Sequence, residues 1–347
     1  MKLNHCLNLI SFVFCLLVLA SCSNEVSSDE ECYKGPNGIC YEPNSKKPFT
    51  GTYTSYYENG QLERRGNLKN GKEEGVWEFF RENGLMDHTW TYQEGVFHGV
   101  YEEFHKTGQL QTRSNWIKGR KTGPYQEFYE NGQLERRGNL ENGKEEGFWE
   151  VFHENGQLKQ RGNFEKGKIE GLGERFYDSG ELKERRDFKG GELHGRWESF
   201  YKNGKTNIVS NWKNGKSDGL SEYFDEEGNL TETREYKDGE LNGVRESFFK
   251  DGKTKILSNW RSGKELNQTR FAYYGSGKLR QKGEFKGDKL NGLYERFYEN
   301  GQLERKANFK EGDQEGWLIK FKEDGTEDFR QCFKADKEVE LDLCNNY

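Results

Sequence analysis

The chain has 347 residues, and the types most suited to specific chemistry are its seven cysteines and six histidines. Cys32 and Cys40 form one close pair near the start, and Cys332 and Cys344 form another near the end. No histidine or further cysteine accompanies either pair at the spacing a zinc site needs, so disulfides are expected and a metal centre is not. His98 and His194 each precede a glycine in a turn-like stretch, His105 and His153 occupy the strand position after the second ring of their units, and His88 is isolated. Solvated or stacking roles suit all of them better than proton transfer. Glutamates recur along the whole chain, which favours solubility and cross-strand ion pairs over one acid–base couple. Neither GxxxxGK[ST] nor a strand–helix GxGxxG is present, so no phosphate loop is expected. These residues point to a protein that is not an enzyme, with no catalytic residue, no cofactor and no metal.

Cys22 is different. Residues 1–22 read MKLNHCLNLISFVFCLLVLASC, with Lys2 ahead of an apolar run over residues 7–19. The run has signal-peptide length and is too short for a comfortable membrane span. Leu19-Ala20-Ser21-Cys22 resembles the bacterial lipobox, which implies cleavage before Cys22 and lipid attachment to it. Residues 23–31, SNEVSSDEE, then read as a polar tether. Ser23 in place of an aspartate favours the outer membrane if the cell has one. The expected localisation is a bacterial cell envelope, with membrane contact through the lipid.

These features must be positioned by an unusual body. Apolar residues make up 31% and charged residues 33%, a balance that suggests disorder until the 14% aromatic content and four prolines are weighed against it. Charges of both signs interleave to a net −6, leaving no basic stripe, so nucleic acid is not an expected partner. GQLERRGNLKNGKEEGVWEFF at 60–80 returns as GQLERRGNLENGKEEGFWEVF at 132–152. Aligned on the glycine that precedes each aromatic run, units begin at Gly51, Gly75, Gly99, Gly123, Gly147, Gly171, Gly195, Gly219, Gly243, Gln268, Gly292 and Gly316. The period is 24 residues, with one step of 25 across GKELNQTR. Within a unit, two strand-length runs flank Asn-Gly or a close relative, the strongest short-range hairpin signal. The expected fold is all-β: an elongated array of about twelve 24-residue hairpin repeats forming a twisted antiparallel sheet.

Register stays open at this level. A two-residue turn at Asn131-Gly132 sets Tyr129 opposite Leu134 and Tyr125 over Gly138. A three-residue turn with a bulge sets Phe128 opposite Leu134 instead. Without a further bulge, either register leaves rings on both faces. The first ring of the unit is lost at Gly173, Ser221, Arg245, Arg270 and Leu318, so the second half is expected to be softer. The rings either pack the sheet or, where exposed, bind a partner. Tyr53, Trp77, Tyr101, Tyr125, Trp149 and Trp197 are the candidate binding surface.

The pattern G-x-W-x-x-F-Y-x-N-G-Q-L-x-x-x-G-x-F-K-x-G-K-x-x-G resembles the bacterial variant of the MORN repeat. The resemblance covers about residues 51–335 and implies a β-hairpin array with an interaction role and no catalytic residues. Some relatives carry an antitoxin label. The division expected is a signal peptide over 1–21, then lipidated Cys22, tether and N-terminal cap over 22–50, repeats over 51–335, and a C-terminal cap over 336–347. The favoured function is a non-enzymatic envelope lipoprotein that binds or scaffolds a protein partner or envelope component. An antitoxin or immunity protein and a glycan or cell-wall binder are the alternatives. About 24 strands spaced ~4.8 Å apart extend roughly 115 Å, whereas a disulfide needs Cα atoms within about 7 Å. Cys32–Cys40 and Cys332–Cys344 are therefore the expected pairs, one at each end. For the anchor, radiolabelled palmitate should enter the wild-type chain and not Cys22→Ser; equal labelling of both removes the lipid reading.

Overall fold

The computed structural model describes residues 25–26 and 32–344. Cys22 and the signal segment lie outside the described residues. Among the described residues the regular structure is β-strand, apart from a short 3-10 turn at Leu341–Cys344. The chain divides into two compact units, one ending at Gly123 and the other beginning at Pro124.

In the first unit, Gly51–Tyr56, Leu62–Lys69, Lys72–Phe80, Met86–Gln93, Val96–Phe104 and Leu110–Ile117 follow one another, each antiparallel to the last. The outer edge of Gly51–Tyr56 is partly covered by Glu25–Val26, which pairs parallel with Thr52 and Tyr53. The Cys32–Cys40 disulfide, with Cα atoms 5.2 Å apart, holds the segment that leads in. That segment docks on the first inter-repeat turn: Cys40 N–H donates to the Gly71 carbonyl at 2.9 Å and Gly71 N–H to the Phe49 carbonyl at 2.7 Å. Cys40, Phe49, Leu68 and Trp77 bury one another there.

The second unit repeats the same alternation of eight-residue and nine-residue strands, as in Leu134–Glu141, Lys144–Phe152, Leu158–Glu165 and Lys168–Phe176. The extra residue of the 25-residue step is absorbed inside Lys264–Tyr273, a ten-residue strand. At the far end Cys332 and Cys344 are bonded, with Cα atoms 5.8 Å apart, and both are almost fully buried. The expected all-β hairpin array and both local disulfides are thus present.

Two kinds of turn alternate, and they settle the register. Between repeats, Asn142 and Gly143 both have positive φ (51° and 79°) and Glu141 faces Lys144, a two-residue type I′ hairpin. Within a repeat the loop has three residues. Gly132 N–H donates to the Tyr129 carbonyl and Tyr129 N–H to the Gln133 carbonyl, both at 2.9 Å, with Gly132 at φ 82°. The next repeat shows the consequence: Phe152 faces Leu158, a shift follows, and Trp149 then faces Gly162. A three-residue turn and a second bulge act together, so the second ring meets the leucine and the first ring still meets the glycine.

Side chains alternate from there. Trp149 points to one face, and Phe148 and Glu150 point to the other. The ring that lies on Gly138 is Trp149 of the following repeat, where the sequence suggested Tyr125. A Cβ on Gly138 would sit 2.2 Å from Trp149 Cδ2, and one on Gly66 would sit 2.1 Å from Trp77 Cδ2. Glycine is required there by the approach of the indole. Gly138→Ala should therefore cost about 1–3 kcal/mol through overpacking, read as a lowered midpoint in urea; an unchanged midpoint would show that the indole can move aside.

Candidate functional site

The first rings of the repeats line up across the sheet in a lateral row with the residues opposite them. In the second unit the row runs Trp149, Gly162, Gly173, Arg186, Trp197 and Ser210, each directly facing the next. Trp149 is 3% exposed and Tyr125 6%. With no second layer over the sheet among the described residues, these rings are buried by arginines laid across them. The Arg136 guanidinium lies 5.1 Å from the Tyr125 ring centre and 5.3 Å from that of Trp149. Arg64 covers Tyr53 and Arg186 covers Trp197 in the same manner. Such contacts combine cation–π attraction with burial of the arginine stem. Carboxylates hold the guanidinium groups in place: Arg136 meets Glu127 at 2.5 Å and Glu145 at 3.4 Å.

Of the proposed contact residues, Trp77, Tyr125 and Trp149 are buried, so they present no ring face to a partner and serve as packing. Tyr53, Tyr101 and Trp197 are half-buried in the same kind of row. What lies open is the opposite face. There Val76 (56% exposed) and Val100 occupy one repeat position in the first unit, and Phe148, Leu172 and Leu220 occupy it in the second. Beside them run cross-strand ion pairs such as Arg137–Glu150 at 2.7 Å and Arg161–Glu174 at 2.6 Å, with the two guanidinium groups also lying over Phe152 and Phe176.

The ring row has one conspicuous gap. Where a third ring is due, Gly173 faces Gly162. The depression above them holds about 130 Å³ and is walled by Trp149, Phe164, Ile169 and Phe188. Arg136, Arg175 and Arg186 stand at its rim with Glu145 and Glu184. Glu184 is 6% exposed, accepts from Arg186 in a short contact, and meets Arg175 at 3.3 Å. Arg186 Nε is buried with no hydrogen-bond partner among the described residues.

Sequence reasoning also missed the links between repeats. A tyrosine two residues ahead of the turn's last two residues reaches the next repeat in several units: Tyr129 Oη donates to the Phe152 carbonyl at 2.8 Å, and Tyr177 Oη to that of Phe200 at 2.8 Å. Asn131 Nδ2 likewise donates to the Glu154 carbonyl at 3.0 Å. The available signal was the tyrosine that recurs at this position, as at Tyr57, Tyr129, Tyr177, Tyr201 and Tyr298, which hairpin formation alone does not explain. His88 stacks on Phe79, ring centres 4.3 Å apart, and its Nδ1 lies 2.9 Å from Asp87. No cluster of three metal-ligating side chains occurs among the described residues, and no helix there is long and apolar enough to cross a membrane.

Burial raises the Tyr125 phenol to about 12, helped by its hydrogen bond to Glu127, and burial raises Tyr92 to about 12 as well. The unfolded chain releases these protons near pH 10 while the folded chain keeps them, so their contribution is complete below pH 10 and is lost as pH rises towards 12. Tyr125→Phe should therefore lose less stability than wild type across that window, checked by urea midpoints at successive pH values. Identical slopes would show that Tyr125 titrates normally.

Sequence comparison matches the MORN repeat variant at residues 49–70, 97–118, 121–142, 145–166, 193–214, 217–238 and 290–311. No curated protein matches the chain. Among solved structures it is similar to the crystal structure of TcdB2-TccC3, at 10% identity and TM-score 0.20, over 86% of this chain and 18% of that one. It is also similar to the Photorhabdus luminescens Tc holotoxin pore, at 11% identity and TM-score 0.16, over 86% of this chain and 23% of that one. The chain spans about a fifth of the length of those structures, and an overlap this slight bears on neither fold nor function.

Proposed function

With MORN-variant repeats matched at seven places, the chain is a MORN-repeat protein, and we propose that it is a non-enzymatic binding module for protein partners, tethered to a bacterial envelope by lipid on Cys22. One observation carries this reading. On the open face, the same repeat position presents an exposed apolar side chain again and again: Val76 and Val100 in the first unit, Phe148, Leu172 and Leu220 in the second. Exposed apolar side chains repeated along one face suit a protein contact better than enclosure of a small molecule. The ion pairs beside them keep the face soluble and form a polar border of the kind that protein interfaces use.

The tether accounts for where such a face would act. Ser23 and Asn24 separate Cys22 from Glu25–Val26, which pairs with the first repeat strand, so the expected tether over 23–31 is shortened to these two residues. The Cys32–Cys40 disulfide then closes the cap on itself, and Cys40 and Phe49 join it to the first inter-repeat turn at Gly71.

The test is site-specific photo-crosslinking in the native cell envelope. A photoreactive phenylalanine at Phe148 or Leu172 should give discrete protein adducts, and Phe148→Ser with Leu172→Ser should lower their yield without changing the thermal midpoint. A reactive group at the buried Trp149 position is the control. Equal adduct patterns from exposed and buried positions would defeat the open-face assignment. Turnover of a substrate by the purified chain, abolished by one substitution, would defeat the non-enzymatic one.

A further inference from the structure

We propose that the gap in the ring row at Gly162 and Gly173 is a binding site for one aromatic side chain of a protein partner. The inference relies on the protein-binding reading only for the source of the ring, and it concerns the face opposite the exposed apolar positions. The same seat is filled elsewhere by the chain itself. On Gly138 lies the indole of Trp149, and on Gly66 lies that of Trp77. Gly162 is the equivalent seat, and the residue due to cover it is Gly173, which has no side chain. Both seat and missing occupant are glycine, and the tip of Ile169 covers only part of the floor, its Cδ1 3.1 Å from where a Gly162 Cβ would stand.

Size agrees. The depression holds about 130 Å³, close to the roughly 150 Å³ apolar cavity that admits benzene. Ile169 and Phe188 already lean towards it, with Ile169 Cδ1 and Phe188 Cε2 each 2.9 Å from where a Gly173 Cβ would stand. These side-chain tips narrow the opening.

Charge agrees too. Four arginines and three glutamates line the opening, and a guanidinium at its edge complements the negative π face of a ring. Arg136 and Arg186 already cover the neighbouring rings Trp149 and Trp197, so an inserted ring meets the same cover. A sugar fits less well. Its hydroxyls need free polar partners, whereas Glu184 is already shared by Arg175 and Arg186, and the Trp149 ring is too buried to offer a stacking platform.

The test is saturation-transfer NMR on the full chain with N-acetylphenylalanine amide, and with methyl β-glucopyranoside in a parallel series. The phenyl protons should be saturated by wild type, the signal should vanish in Gly173→Phe, and Ile169→Ala, which widens the opening, should retain it. Circular dichroism checks folding; if Gly173→Phe does not fold, Ile169→Phe supplies the filled variant. Equal phenyl saturation in wild type and the filled variant overturns the site, as does no phenyl saturation at all. Saturation of the glucoside alone, lost on filling, overturns the aromatic assignment in favour of a sugar. No partner protein is involved, so failure here leaves the crosslinking test of the open face standing.

Discussion

A lone sheet has to cover its own hydrophobic residues, and here that constraint is met by arginine laid over aromatic rings. Two packed layers are the usual way to hide apolar surface. This chain instead draws guanidinium groups across Tyr53, Tyr125, Trp149 and Trp197. Much else follows from that arrangement. The arginines need carboxylates to hold them, which explains acids placed beside the ring row, such as Glu127 and Glu145 around Arg136. The rings need a close seat beneath, which explains Gly66 and Gly138. The high charge and low apolar content of the sequence are therefore consistent with an ordered protein, because part of the charge acts as covering material.

Where the rings stop, the row continues in other residues. Ser210, Ser221 and Ser258 are almost wholly buried along it, and Gln268 follows. Trp212 and Trp260 donate to the hydroxyls of Ser210 and Ser258, each at 2.8 Å, so at these places a hydrogen bond to serine stands where a ring is due in the row. Hydrogen bonds contribute less net stability than a buried indole does. The two clusters of buried hydrophobic residues, around Trp77 and around Trp149, both lie in the earlier repeats.

Much of the fold was legible because its signals are local. Asn-Gly spacing marks hairpins, and a period of 24 residues exposes the array. The disulfide partners followed from chain reach alone. Register was not legible, since a three-residue turn and a second bulge shift the pairing twice in opposite senses, and neither leaves a residue that only one register could explain. The direction of ring packing was missed for a related reason. Pairing within a hairpin suggested Tyr125 over Gly138, whereas contact with the next repeat puts Trp149 there. The role of Arg136 left no mark in the sequence because it depends on the two rings beneath it. The gap at Gly173 was visible as a lost aromatic, yet its meaning depended on knowing that the residue opposite is also glycine.

The placement of each seat and its ring in different repeats also bears on ancestry. A hairpin copied alone would carry a glycine whose indole stayed behind, or an indole with nothing small to lie on. The block shared by 60–80 and 132–152 begins inside one repeat and ends inside the next, and so contains both Gly66 with Trp77 and Gly138 with Trp149. The module shared by these two stretches is thus out of phase with the hairpin: what that duplication carried intact is a junction between neighbours, with the seat and its ring together.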